Sequence, residues 1–550
     1  MDEIDWTPPG PGPWHQDRAH IPASVTLLVQ EAYPDGFTRG FAEALAPFGM
    51  LLDTLRLEYV NGFPYIQPVP FDAGPNAPTT PEEFGAEIGR RTALAADAFE
   101  RRIWREGMRR WDDEVKPAAI ARHEEMAAVD LASLYTEGLR AHLHLCIENL
   151  RAMWFQHHRF NAMAMTPVGD FVLHAAEWTR QPPIPILAVF DGWSPVSNVV
   201  NPEIAPAAAA LRSDPESREL LRGDAPAAER LAALRAKVPS VDVYVRAVGH
   251  RIAAGFDLTN PTVGERPDIV LGRLLSAVDH DTDLSKARAD ALASELRLSV
   301  PAQHQDEFDE LLDEARLVYR LRDERGLYSD TNAVGLLRLA LIELGRRLLD
   351  QRRIAFLYDA LDLSAAEIDA VLDGNPTPTS GELTARVARR KALSAAGAPA
   401  DLGPPAPPPP SVDQLPAPLA RVMSALGFVI SGVLGEADAP SGDASTIVGI
   451  AGSAGVFEGP ARVVRNFDEL LTIEEGDVLV TPATGESFNS FLHLVGAIVT
   501  DHGSFASHAA IMGREMGFPA VVGTVDGTKR ISTGTRVRVD GTAGTVTVLG

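Results

Sequence analysis

Apolar positions recur at two different periods along the chain, and the change of period divides it. Leu139, Leu143, Ile147, Leu150 and Trp154 are spaced by three and four, as are Leu337, Leu341, Leu344 and Leu348. This spacing gives each of two helices one apolar face. Residues 80–395 carry the pattern widely and read as mostly helical, with charged runs such as RDERGLYSD (322–330) and ELGRRLLDQRR (343–353) as solvated faces. Upstream, LRLEYVNGFPYIQPVP places β-branched and aromatic residues around Asn61-Gly62 and predicts a hairpin within residues 1–75. Beyond residue 444 the period shortens to that of strands punctuated by glycine. Asp540-Gly541 marks a closing hairpin there, and one helix is predicted from His508 to about Met516, stopped by Gly517 and Pro519.

Between the two regimes, residues 395–416 lose either period, and Pro407 to Pro410 run together. Such a stretch favours extended polyproline II and acts as a spacer. The expected architecture is multidomain α+β: a mainly α-helical substrate-binding domain over 1–394, a Pro-rich linker over 395–444, and a compact C-terminal β-rich domain over 445–550. A length of 550 residues, too great for one ordinary core, supports several packing units.

Composition narrows the classes. The apolar fraction of 45% and charged fraction of 23% are those of a folded chain. A formal charge of -25 repels nucleic-acid phosphates and anionic lipid, so neither is an expected partner. Cys146 is the only cysteine, which excludes an internal disulfide framework, a thiolate zinc cluster and an iron-sulfur site. No metal site is expected in the chain itself. The N-terminal run MDEIDWTPPGPG does not have the form of a secretory signal, and no segment offers the roughly 20 apolar residues of a membrane span. A cytoplasmic location is expected.

The chemistry concentrates in TDHGSFASHAAIMGREMGFPAVVG, residues 500–523. A strand ends near Thr500, a glycine-containing turn follows, and His508 opens a short helix. Free N–H groups and the positive dipole end at such a position stabilise a phosphoryl group, and the same field keeps an imidazole neutral and nucleophilic. Thr500 and Ser507 would add hydroxyl donors, and Gly503 would let the backbone approach. Taken alone, a histidine beside a serine at a helix start is more often a capping or packing residue.

The wider run is more specific. Thr500, Gly503, Ser507, His508, Ala509, Ala510, Ile511, Arg514, Glu515, Gly517, Pro519, Ala520, Val521, Val522 and Gly523 resemble, in order, the mobile, swivelling phosphohistidine domain of the PEP-utilising enzymes. Gly455, Gly459, Ala461 and Val463 resemble the opening strand of that domain, and VDGTAGTVTVL its closing hairpin. Three positions depart from the family pattern: Ser504 for a second glycine, Gly513 for alanine, and Thr484-Gly485-Glu486 for Thr-x-Pro. The resemblance implies a β/β/α phosphohistidine domain in which His508 is the phosphoryl carrier, with Thr500, Gly503, Ser507 and Arg514 around the phosphate.

Residues 321–372 and the N-terminal PGPWHQDRAHIPASVT resemble the helical substrate domain of rifampicin phosphotransferase and of related enzymes such as phenylphosphate synthase. No ATP-grasp phosphate loop or GxxxxGK[ST] is found in the sequence. The resemblance then implies a split, dikinase-type phosphotransferase. An ATP-grasp subunit or domain on another chain would bring ATP and Mg2+, and a small organic hydroxyl compound would be the acceptor. Two alternatives stay open: a non-catalytic scaffold that keeps the swivelling fold, and a relay fed by an HPr-like phosphohistidine donor.

In the helical region His142 and the His157-His158 pair are candidates to orient or deprotonate the acceptor, or are satisfied core histidines. Arg316 and Arg320 are candidates to neutralise the phosphoryl charge, or pair with Asp323 and Glu324. Trp14, Trp104, Trp154 and Phe155 are candidates for an apolar acceptor wall, or are core residues.

Overall fold

The computed structural model describes residues 4–549 except 19, 75–76, 254, 280–284, 394–396, 407–409, 435–444, 466, 471, 486–487, 489–490 and 493. The three-and-four spacing resolves into helices Thr136–Arg159 and Thr331–Asp350, whose stripe residues are all buried. With the helix Leu27–Leu45 they enclose one core, in which the Tyr33 and Trp154 rings stack at 3.7 Å. A second core lies between helices Asn161–Thr179 and Gln305–Tyr319 and is centred on Phe171, Phe190 and Phe308. A smaller group of helices between Ala205 and Asp279 has a core of its own around Leu211, Leu234 and Leu274.

The predicted hairpin is formed by β2 (Leu52–Val60) and β3 (Phe63–Pro70), after the short β1 (Trp14–Gln16). Val60 pairs with Phe63 across Asn61 and Gly62, both at positive φ of 52° and 80°, which is the backbone a two-residue turn matched to strand twist requires. β1 continues this sheet and pairs in turn with β4 (Asp401–Leu402).

The pairing of β4 is the first departure from a free spacer at 395–444. The second is an 18-residue helix, Ala417–Leu434, packed along Asn161–Thr179. Its Arg421 forks onto the buried Asp170 carboxylate with two hydrogen bonds of 2.7 Å. Gly169 faces the Ala425 carbonyl so closely that a Cβ there would overlap it. Proline thus excludes regular structure only locally; from Ala417 the residues Leu419, Val422, Ala425 and Leu426 repeat at three and four and are buried. Residues 407–409 and 435–444, on which the spacer expectation also rests, lie outside the described residues.

The C-terminal domain is an eight-stranded sheet of β5 (Thr446–Val448), β6 (Ile450–Ser453), β7 (Val456–Val463), β8 (Asp477–Thr481), β9 (Val495–Thr500), β10 (Ala520–Val522), β11 (Arg536–Asp540) and β12 (Thr545–Val548). Its order is β5-β12-β11-β7-β8-β9-β10-β6. The pairs β7–β8, β8–β9 and β9–β10 are parallel and the remaining pairs antiparallel. The helix His508–Met516 is the crossover from β9 to β10, closed by Gly517 at φ 80°. The central parallel strand β8 is buried on both faces, which is why Val478, Leu479 and Val480 follow one another without polar alternation, whereas β7 and β11 alternate buried with exposed positions.

Candidate functional site

The loops after β8 and β9 meet at the carboxyl ends of these parallel strands, where open α/β sheets hold their ligands. From the β8 loop, Thr484 Oγ1 lies 2.9 Å from His508 Nδ1. From the β9 loop, Gly503 at φ 101° makes the turn into Ser507, which caps the helix in extended conformation. A Cβ on Gly503 would press on the Ser507 side chain, so the turn needs glycine at that place. The Ser507 hydroxyl and His508 Nε2 are both enclosed and, among the described residues, have no hydrogen-bond partner. Burial is the main reason that the His508 imidazole is pulled down to about 4 and stays neutral.

His508 lines a cavity of about 610 Å3 between the C-terminal domain and the helical body. From the body it is lined by Arg322, Asp323 and Arg325, and from the helix Ala417–Leu434 by Phe428 and Val429. The Phe428 and Phe505 rings lie 5.0 Å apart, and Ala506 N–H donates to the Gly432 carbonyl at 2.9 Å. The segment expected as linker therefore touches the turn that carries His508. Asp323 accepts from Arg322 at 2.8 and 2.9 Å and from Ser194 and Ser197 at 2.5 Å. Burial alone would raise Asp323, but these donors hold it down at about 2. Asp323 and Arg322 are also the charged groups that bear on the His508 imidazole.

The sequence candidates separate accordingly. Ser507, Gly503 and His508 come together at the cavity, but Thr500 does not join them: its hydroxyl is buried and donates to the His502 carbonyl at 2.8 Å, holding the turn. Thr484 takes the place beside the imidazole. Arg514 lies at the far end of the helix, donating to the Gly452 and Phe505 carbonyls at 2.8 and 2.9 Å, with Asp191 of the body at 4.0 Å. It lines the same cavity, tying the turn and facing the body. Of the departures from the family pattern, Ser504 is buried in the turn and accepts from Ser507 N–H through its carbonyl at 2.9 Å; Glu486 lies outside the described residues.

In the body, His157 lines the cavity, its Nδ1 3.0 Å from Asp330 Oδ1. Burial lowers His157 well below its ordinary range and raises Asp330 to about 8, so the pair is neutral. His142 and His158 do not reach the cavity. His142 is packed on the buried face of its helix, and His158 sits among Phe37, Phe41 and Trp154. Arg316 is held by the Val189 carbonyl and Asp290, and Arg320 by Glu324 and Asp112, so neither points at His508. The four proposed wall aromatics are packed elsewhere: Trp14 against Phe63 and Tyr65, Trp104 donating to Glu314 at 2.6 Å, Trp154 on Tyr33, and Phe155 under Arg39 and Arg159. Phe256, Phe428 and Phe505 line the cavity instead.

Sequence reading passed over the charges that matter most, Arg322, Asp323 and Arg325, as a solvated face. They are half-buried or buried because the short helix Leu321–Arg325 packs against Asn161–Thr179 and Gln305–Tyr319 before running into a π turn at Gly326–Asp330. The legible signal was a four-charge run meeting a glycine inside an otherwise apolar stretch.

Comparison with known proteins agrees with this geometry. Residues 473–544 match the family described as PEP-utilising enzyme, mobile domain, and residues 166–323 match the rifampicin phosphotransferase fourth domain. Chondramide synthase of Chondromyces crocatus is 28% identical over 98% of this chain and 14% of its own length. Rifampicin phosphotransferase of Bacillus cereus is 27% identical over 56% of this chain and 34% of its own. A probable phosphoenolpyruvate synthase of Pyrococcus abyssi is 45% identical over 18% of this chain and 12% of its own. The matched regions thus span about a third or less of each of these relatives. Among the described residues no helix is long and apolar enough to cross a membrane. The C-terminal region of this chain is thus similar to the mobile domain of the PEP-utilising enzymes over residues 473–544, and its helical body to the rifampicin phosphotransferase fourth domain over residues 166–323.

Proposed function

We propose that the chain is a phosphotransferase in which His508 carries a phosphoryl group to a hydroxyl of a small organic acceptor held in the cavity. The observation that carries this reading is His508 Nε2, enclosed and unpartnered on the cavity wall while Nδ1 is held by Thr484. With Nδ1–H donating to Thr484 Oγ1, Nε2 keeps its lone pair. It attacks phosphorus of the donor, the N–P bond forms, and the donor's P–O bond breaks. In the second half the acceptor oxygen attacks the same phosphorus, its proton passes to a base, the N–P bond breaks and the imidazole returns neutral.

The donor in this reading is ATP: Nε2 attacks the β-phosphorus and AMP leaves, and water then cleaves the β–γ P–O bond, releasing phosphate and leaving one phosphoryl group on His508. ATP and Mg2+ are supplied by an ATP-grasp subunit or domain on another chain. Arg322 stands where it would balance the phosphoryl charge at His508. Loading from a donor on another chain requires the C-terminal domain to leave the body and return.

The test is to incubate the chain with β-labelled ATP, Mg2+ and an ATP-grasp protein, and to look for acid-labile, base-stable label. Label on His508 in wild type and none in His508→Ala is expected. No label in wild type, or equal label in the variant, overturns the proposal.

A further inference from the structure

Arg325 lies three residues beyond Arg322, at the entry to the π turn, and is 6% exposed. Its Nε donates to the Arg322 carbonyl at 3.3 Å, while Nη1 is enclosed without a hydrogen-bond partner. Among the described residues no carboxylate lies within ion-pair distance of it, although the arginines around it are matched: Arg320 with Glu324, Arg322 with Asp323, Arg251 with Glu203 and Arg338 with Glu265. A guanidinium buried without a counter-ion is among the costliest arrangements a fold can hold. Burial pulls Arg325 down to about 10, where it is still charged at neutral pH.

Asp330 bears on Arg325 more than any other acid but does not neutralise it. Its Oδ1 is engaged with His157, and burial keeps its proton on, up to about 8. Its Oδ2 is also enclosed without a partner. Arg325 lines the same cavity as His508 but serves another part of it. Arg322 and Asp323 bear on His508, whereas Arg325 bears on His157, His158, His20 and Asp330. Ile21, Val168, Leu187, Phe256, Phe428 and Val429 give the cavity apolar wall.

We propose that Arg325 binds a carboxylate on the acceptor, so that the acceptor is an apolar-bodied hydroxy acid with its carboxylate at Arg325 and its hydroxyl toward His508. The inference rests on the phosphoryl-transfer reading of the cavity. The guanidinium fork matches a carboxylate, and the protonated Asp330 Oδ2 supplies a second donor. The ligand then provides the counter-ion that the fold leaves out.

The test is calorimetric binding of 6-hydroxy-2-naphthoate and of 2-naphthol, which differ only in the carboxylate, to the full chain. Wild type is expected to bind the carboxylate about tenfold tighter, the worth of one charge-assisted hydrogen bond. Arg325→Met should abolish the preference without weakening 2-naphthol, Arg325→Lys should keep part of it, and the melting temperature of ligand-free Arg325→Met should not fall. Absence of a carboxylate preference in wild type, whether both probes bind alike or neither binds, overturns the proposal. So does a preference that survives in Arg325→Met. If instead inorganic phosphate binds wild type and is lost in Arg325→Met while the naphthoate preference stays, Arg325 holds the phosphoryl group and the proposal fails. The preference must persist in His508→Ala, so failure of the carrier role, read by labelling, is distinguishable from failure of this site.

Discussion

Thr484 Oγ1 lies 2.9 Å from His508 Nδ1, joining the loop after β8 to the helix after β9. The contact fixes the ring and decides which nitrogen faces the cavity. Thr484→Val keeps the shape and removes the partner. A net hydrogen bond of about 1 kcal/mol corresponds to a roughly fivefold slower phosphorylation of His508 by phosphoramidate, followed by 31P NMR. Thr484→Ser should restore most of the rate. An unchanged rate in the valine variant would show that the ring is positioned by packing alone.

The pH dependence of the same reaction follows from burial. A solvated histidine begins to lose its nucleophilic form below about pH 6.5. With His508 pulled down to about 4, its neutral form persists through pH 5, so the phosphorylation rate should stay level from pH 8 to 5 and fall only below. A midpoint near 6.5 would mean that the reacting imidazole is solvated, with the domain away from the body.

Glu515 gives the contact between domain and body a pH response of its own. Burial, with Asp323 next, raises its carboxyl to about 8, and its Oε1 is enclosed without a partner. A carboxyl raised in the packed state favours packing fully below its free value and loses that contribution as pH rises through the shifted one. The domain should therefore loosen from the body between about pH 5 and 8, seen as faster proteolysis and a larger radius in small-angle scattering. Glu515→Gln should remove most of this dependence.

Gly169 is where two helices touch backbone to backbone. Gly169→Ala would drive a methyl group into the Ala425 carbonyl and push the helix Ala417–Leu434 outward. Overpacking of this kind costs about 1–3 kcal/mol. Denaturant unfolding should show that loss, and the Arg421–Asp170 pair, formed by the same two helices, should become sensitive to salt.

Cys146 is wholly buried in the helical core, and burial lifts its thiol to about 12. The native protein should resist a disulfide reagent at pH 8, with labelling at the rate of opening of that core. Rapid stoichiometric labelling would contradict the packing of the helix Thr136–Arg159.

The helices around Leu143 and Leu341, the Asn61-Gly62 turn and the helix His508–Met516 were all legible, because each is set by a local rule of period, turn residue or stop signal. The linker was legible only in part. Its prolines are visible, but the helix from Ala417 forms against Asn161–Thr179, a partner more than two hundred residues away. Among candidate residues, Arg320 and Arg322 look alike on paper, and one is tied to Glu324 and Asp112 while the other reaches the cavity. Two positions apart on an α-helix, the pair stands roughly 200° apart round the axis, and packing decides which side faces the cavity.

The sequence by itself determined the change from helical to strand period, the Asn61-Gly62 turn and the helix that His508 opens, since these depend on neighbours within one turn or one strand. Only the tertiary structure decided which charges are buried, that Thr484 rather than Thr500 holds the imidazole, and that Arg325 is left without a counter-ion. Burial and ion pairing are properties of surfaces brought together from distant parts of the chain, and a guanidinium's cost or use is set by what is packed around it.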